Sequence, residues 1–289
     1  MKKTAEVSHD MHGEKLYQQR ARSALPLLVR QAEFGCKILY SNLAQELGMP
    51  NPRNLNYVLG SIGQSLMSLA EQSGMNIPPI QCLVVNKSDG LPGEGIGWFL
   101  DQTNLSGIGR KQYATLPSKE KRLVVEKELA AVFNYSLWGE VLRHLGLDRA
   151  GGVEIEGLPL FFGGGESDDH RALKEFVKKN PALVGVRSTA IKSSLEFPLL
   201  SGDFLDVSFL TPEEWVAVEV KSKKSDVSDV RRGIYQCVKY GAVQKAMGAA
   251  KADERNVRAV LVLEGKLPSS LMGLRNLLGV EVVEDAYHK

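Results

Sequence analysis

Two short apolar runs, Phe204-Leu205-Asp206-Val207-Ser208-Phe209 and Val216-Ala217-Val218-Glu219-Val220-Lys221, each carry an acid inside them. Runs of this length, rich in Val and Phe, read as strands. Successive side chains of a strand point to opposite faces, so Glu219 and Lys221 share one face while Val218 and Val220 meet the opposite layer. A helix is expected before them over residues 166–179, with Leu173, Phe176 and Val177 inward, ended by Asn180-Pro181. Strands are also expected over 183–187 and 257–263, and a long helix over about 227–250. The order is helix, three strands, helix, strand, which makes this half an α/β fold with a mixed sheet flanked by helices.

Neighbouring strands of a hairpin can bring Asp206 opposite the face that carries Glu219 and Lys221. The product is a carboxylate pair with an ammonium group beside it. That set suits Mg²⁺-assisted phosphodiester hydrolysis, with Mn²⁺ as a substitute. Hard oxygen ligands hold a hydrated cation, the cation polarises a phosphate oxygen and acidifies its water, and Lys221 orients that water or offsets the growing charge. A solvated strand face is the plainer reading of Glu219 and Lys221, but it does not account for an acid between Leu205 and Val207.

The segment Gly202-Asp203-Phe204-Leu205-Asp206 … Glu219-Val220-Lys221, in this order of elements, resembles the PD-(D/E)XK nuclease superfamily over residues 166–284. Leu205 stands where that motif often has proline. Gln236-Cys237-Val238-Lys239-Tyr240 matches the Q-x-x-x-Y motif of the RecB-like branch, its Gln and Tyr one helical turn apart. The resemblance implies a restriction-endonuclease-like fold with Asp206, Glu219, Lys221, Gln236 and Tyr240 as the catalytic group. It also implies a metal held by Asp206, Glu219, Val220 and one more acid from the preceding helix. Glu166 is preferred to Asp169 and Glu175 there, because it stands one turn before His170 on the same face, so that both could approach the site. His170 itself reads as a surface or satisfied histidine.

The N-terminal half has a different pattern. A helix is expected over residues 16–32, bent or delayed by Pro26. A second opens at Ser41 and stops at Gly48, and a third opens at Asn51-Pro52. Strands over 80–86 and 93–100, turned by Ser88-Asp89-Gly90, would complete a winged helix. Residues 38–100 resemble the winged-helix DNA-binding domain of the alkyltransferase-like family, on Leu39-Tyr40-Ser41, Asn51-Pro52-Arg53 and the apolar strand before Ser88-Asp89-Gly90. That family's Pro-Cys-His-Arg motif is replaced by Gln81-Cys82-Leu83-Val84, so Cys82 reads as a small core residue. Ser118 is expected to cap a helical stretch reaching about residue 147, with Leu123, Val124, Leu129, Val132 and Phe133 inward. The organisation read is a winged-helix domain over 1–105, a helical connector and glycine-rich linker over 106–165, and the nuclease domain over 166–289.

DNA contacts are expected from Arg53, Asn54 and Asn56 on the presumed recognition helix and from Arg110 and Lys111. Lys223, Lys224, Arg231 and Arg232 add to these from a stretch, residues 221–258, with ten Lys or Arg against four Asp or Glu. A solvated helix face is the alternative reading of that stretch. Three widely spaced cysteines give neither a disulfide framework nor zinc-ligand spacing. The polar start is unlike a secretory signal, and no apolar run approaches the ~20 residues of a membrane span, so a cytoplasmic setting is expected. The function expected is a metal-dependent DNA endonuclease of restriction or phage defence. A second copy of the chain and protein partners of a defence system stay open. So do two rivals: a DNA-binding regulator on an inactive nuclease fold, and a nuclease acting on RNA or branched DNA.

Overall fold

The computed structural model describes residues 7–103, 110–151 and 167–288, and the chain divides into two units, Met1–Val153 and Glu154–Lys289. In the first, helix α1 (Leu16–Glu33) runs unbroken through Pro26 and buries Ala21, Ala24, Leu25 and Leu28. Strand β1 (Ile38–Leu39) leads into α2 (Tyr40–Glu46), so Ser41 lies inside that helix and Leu39 is its cap. Gly48, at φ +63°, turns the chain out of α2. Asn51 then caps a single 3₁₀ turn by accepting from the Arg53 N–H at 3.0 Å, and α3 (Leu55–Ser73) follows. The expected order of helix, turn and helix is therefore present.

The expected wing is not. Ile80–Leu83 is a 3₁₀ turn, and strand β2 (Val84–Val85) is two residues long and pairs in parallel with β1. The segment expected to return as a strand is helix α4 (Ile96–Thr103). Its buried Ile96, Phe99 and Leu100 recur at i, i+3 and i+4, a helical interval. Helices α5 (Arg110–Thr115), α6 (Ser118–Phe133) and α7 (Trp138–His144) complete the unit. The last two are no connector: Val125, Leu129, Val132, Trp138 and Val141 belong to the same core as Leu25 and Ile62. Pro117, not Ser118, caps α6, and the expected core residue Leu123 is 61% exposed.

In the second unit Ser167 caps α8 (Asp168–Lys179), its side chain accepting from the His170 N–H at 3.2 Å. Residues expected as a strand at 183–187 instead open with a 3₁₀ turn, Pro181–Val184, closed by Gly185 at φ +78°. The strands are β3 (Lys192–Pro198), β4 (Phe204–Leu210), β5 (Glu214–Lys221), β6 (Asn256–Leu263) and β7 (Glu281–Val283). Helix α9 (Val227–Ala250) joins β5 to β6, and α10 (Met272–Leu277) precedes β7. The sheet order is β3-β4-β5-β6-β7, antiparallel through β5 and parallel beyond it. The fold of this unit is mixed α/β.

The sheet is covered on both faces. Val216, Val218 and Val220 pack with Leu173 and Val177 of α8, while Trp215 and Ala217 pack with Tyr240 and Met247 of α9. The alternation breaks at one place, beside an acid of the β4 strand. Leu195 and Val207 are cross-strand partners on the α8 side, yet Phe197 and Leu205, paired two residues along, lie on the α9 side. Residues i and i+2 of a regular strand share a face, so both strands must flip between these pairs. They do so at Glu196, whose φ is +49°, and at Asp206 beside it, both skipped by the ladder.

Candidate active site

The flip in β4 turns Asp206 toward α8. There His170 and Lys174, one helical turn apart, meet it: His170 Nε2 lies 3.6 Å from Asp206 Oδ2 and Lys174 Nζ 3.9 Å from Oδ1. Asp206 Oδ2 also accepts the Val220 N–H at 2.8 Å, a bond that ties β4 to the C-terminal end of β5. Burial pushes the Asp206 carboxyl up, but His170, the Val220 N–H and Lys221 together outweigh it and hold the group below the usual aspartate range.

Glu219 faces the other way, to α9. Its Oε1 accepts from Lys221 Nζ at 2.6 Å and its Oε2 from the Tyr240 hydroxyl at 3.2 Å. It is only 3% exposed. Burial, and then the nearby charge of Asp206, push its carboxyl up to about 7 despite Lys221 and Tyr240. Gln236 joins the group from α9: its Oε1 accepts from Lys221 Nζ at 3.4 Å and its Nε2 donates to the Tyr240 oxygen at 3.1 Å. Tyr240 can also donate to the Phe204 carbonyl at 3.3 Å, and burial pushes its phenol well above the ordinary range. Four of the five residues expected as a catalytic group form one hydrogen-bonded cycle on the α9 side. Asp206, expected on the face of Glu219 and Lys221, is instead turned to α8 by the flip in β4 and adjoins them through the Val220 N–H.

Two residues of this site were not singled out by the sequence. Lys174 is 3% exposed and ion-paired with Glu196, the residue at the flip. It therefore pins the distortion that aims Asp206. Lys174→Met is expected to lower turnover roughly 10- to 100-fold through misplacement of Asp206, with KM little changed. Steady-state kinetics check this, and unchanged turnover would reduce Lys174 to a staple of β3. Gly233 is the other: a Cβ there would sit 2.8 Å from Leu261 and 3.1 Å from Lys221 Cε, so its lack of a side chain lets α9 approach Lys221.

The cycle through Gln236 carries a second expectation. Gln236→Ala should lower turnover by roughly one to three powers of ten by freeing Lys221, at a stability cost of only ~1 kcal/mol. Tyr240→Phe should be milder than Tyr240→Ala, since it keeps the ring that packs on Leu205 and Met247. Thermal melts beside single-turnover rates separate the two effects.

His170 is inside the site rather than on the surface, its Nε2 3.2 Å from the Val220 carbonyl oxygen. Glu166 lies outside the described residues. Asp206, Glu219 and the Val220 carbonyl are hard oxygen donors, with an imidazole beside them, and they suit a divalent cation. Among the described residues no three His, Cys, Asp or Glu side chains are packed closely enough to hold an ion as they stand, because Glu219 is turned to Lys221 and Tyr240. The fit rests on charge: a buried carboxylate held near neutrality by a neighbouring carboxylate has a repulsion that a cation would relieve.

The basic stretch is less free than its composition suggests. Lys223 pairs with Glu264, Lys224 with Asp169 and Arg232 with Asp229, and Lys239, Arg255 and Arg258 also have carboxylate partners. Exposed pairs of this kind contribute ~0–1 kcal/mol and can exchange for phosphate. Arg231 is half-buried on α9. In the first unit Arg53, Asn54 and Asn56 are exposed at the start of α3, while Arg110 and Lys111 open α5 with side chains outside the described set. Cys82 is fully buried, and burial, then Glu128, push its thiol well up, which leaves it an inert core residue. No helix among the described residues is long and apolar enough to cross a membrane. No protein family, curated protein or solved structure is matched by the chain.

Proposed function

We propose that the chain is a metal-dependent nuclease of PD-(D/E)XK type that hydrolyses phosphodiester bonds in DNA. The observation that carries this reading is the cycle Glu219–Lys221–Gln236–Tyr240, with Glu219 and Tyr240 buried and Lys221 and Gln236 partly so, next to Asp206. An ordinary ion pair on a strand face has no need of a carboxylate 3% exposed, with a second one beside it.

Asp206, Glu219 and the Val220 carbonyl would hold Mg²⁺ or Mn²⁺, which supplies Lewis acidity toward a phosphate oxygen and lowers the pKa of water. The remaining work belongs to the chain. Lys221, kept in place by Gln236, sets a positive charge where negative charge grows on the phosphate oxygens as water adds to phosphorus and the bond to the leaving oxygen breaks. The Val220 N–H holds Asp206, so that carboxylate does not have to be ordered at the moment of reaction, while Glu219 would exchange its bonds to Lys221 and Tyr240 for the cation. His170 buttresses Asp206 and the Val220 carbonyl from α8.

The first unit would bring the nuclease to duplex DNA through Arg53, Asn54 and Asn56 at the start of α3, without a wing. Restriction or phage defence is the setting proposed, on the analogy of the architecture alone. The test is a panel of end-labelled duplex, single-stranded, branched and RNA substrates incubated with Mg²⁺. Preferential cutting of duplex DNA supports the reading, and cutting confined to RNA or to junctions moves the activity to another substrate class.

A further inference from the structure

Besides the candidate active site, the second unit contains a cavity of about 280 Å³ between β3, β4, β5 and α9. Trp215 lines it, four residues before Glu219 on β5 and so ~13 Å from it along the strand. Its floor is apolar: Phe197, Leu210, Trp215 and Met247, with the Phe197 and Trp215 rings edge to face at 5.6 Å between centroids. Its walls carry hydroxyls. Ser208 accepts from the Trp215 indole N–H at 3.0 Å, which leaves its own O–H to donate, and its cross-strand partner Ser194 lines the side of the edge strand. Its rim is cationic, with Lys192, Lys251 and Arg255 against the single carboxylate of Asp253. Arg255 and Asp253 are paired with each other, so Lys192 and Lys251 give the mouth its charge. One turn along α9 from Met247, Gln244 is fully buried with no hydrogen-bond partner for either amide atom among the described residues. Unmet polar demand therefore sits in the same interface between helix and sheet.

The geometry points to a mononucleotide site in this cavity, the base against Trp215 and Phe197 and the phosphate at Lys192 and Lys251. A purely apolar ligand would leave the lysines and serines unused. Inorganic phosphate would leave the aromatic floor unused, and a divalent cation would be repelled by the rim. A planar heteroaromatic ring joined to an anionic group uses all three layers, since stacking is tolerant of base identity and lysine binds phosphate as a point charge. The ligand can be a free nucleotide or one nucleotide of a strand. None of the cavity residues belongs to the active site, so the inference stands apart from the nuclease reading.

Isothermal titration calorimetry on the full chain tests it, with AMP, GMP, CMP and UMP, their nucleosides, inorganic phosphate and a five-nucleotide single-stranded DNA. The Asp206→Ala background is used so that no strand is cut. At least one mononucleotide, or the oligonucleotide, should bind at a single site at least tenfold more tightly than nucleoside or phosphate. That binding should weaken at least tenfold in Lys192→Glu/Lys251→Glu, whose two positions are exposed and spare the fold. Binding by free mononucleotides assigns a soluble ligand, and binding by the oligonucleotide alone assigns a strand; both support the site. No binding by any of them, or undiminished binding in the double variant, overturns it. Loss of cleavage in Asp206→Ala with nucleotide binding intact keeps the two readings distinct.

Discussion

Asp206→Ala, Glu219→Ala and Lys221→Ala should each lower DNA cleavage by at least three powers of ten while leaving the chain folded. The size reflects what each removes. In the proposed mechanism the first two would take away an anionic metal ligand and with it the Lewis acid, and the third the charge that would meet the developing phosphate charge. The losses should not add: a double variant should be little worse than its parents, as groups acting as one unit behave. Single-turnover rates on a common duplex, with circular dichroism melts on the same preparations, give both quantities. A Lys221→Ala protein cutting at the wild-type rate would remove that residue from the mechanism.

The second large effect concerns stability and has a definite sign. Glu219 is raised from 4.5 to about 7 in the folded chain, so the folded state holds this proton where the unfolded state has lost it. The associated stability is complete below about pH 4.5 and is lost as pH rises through about 7, on the order of 3 kcal/mol in all. Asp206 acts in the opposite sense, since its lowered carboxyl adds stability that disappears only as pH falls below its ordinary 3.8. Glu219→Gln removes the ionisation without emptying the site. At pH 8 it should therefore melt roughly 5–10 °C above wild type while being inactive. Mg²⁺ should raise the melting temperature of wild type at pH 8 and leave Glu219→Gln unmoved. Equal shifts in both proteins would place cation binding elsewhere.

The parts of the second unit legible in the sequence are those whose partners are close or whose burial is two-sided. Strands β4, β5 and β6 are mostly apolar because helices cover both faces, and α9 is readable from end to end. Gln236 and Tyr240 need only helical periodicity to meet. Strand β3 was missed because it is an exposed edge strand, and its sequence, Lys-Ser-Ser-Leu-Glu-Phe-Pro, shows only part of an apolar face. The strand expected at 183–187 fails on chemistry that was present: Pro181 starts a turn and Gly185 closes it in a left-handed conformation. His170 could be read only as lying on a helix face able to approach the site, and Lys174 could not be placed, since it reaches Asp206 across 32 positions of chain through a flip at Glu196 that no periodicity announces. The absent wing has a similar origin. Gly93-Glu94-Gly95 looked like part of a returning strand, but Ile96, Phe99 and Leu100 bury one face of a helix that Gly93 starts by accepting the Ile96 N–H.

That Asp206, Glu219 and Lys221 form one metal-dependent hydrolytic site is tested most directly on supercoiled plasmid. Its conversion by purified wild-type protein and by Lys221→Ala is followed in parallel with Mg²⁺, with Mn²⁺, with Ca²⁺ and with excess chelator. The site predicts cutting by wild type with Mg²⁺ or Mn²⁺ alone, DNA binding without cutting in Ca²⁺, and no product from Lys221→Ala in any lane. Plasmid cut equally by both proteins, or cut by wild type in the presence of chelator, would contradict it.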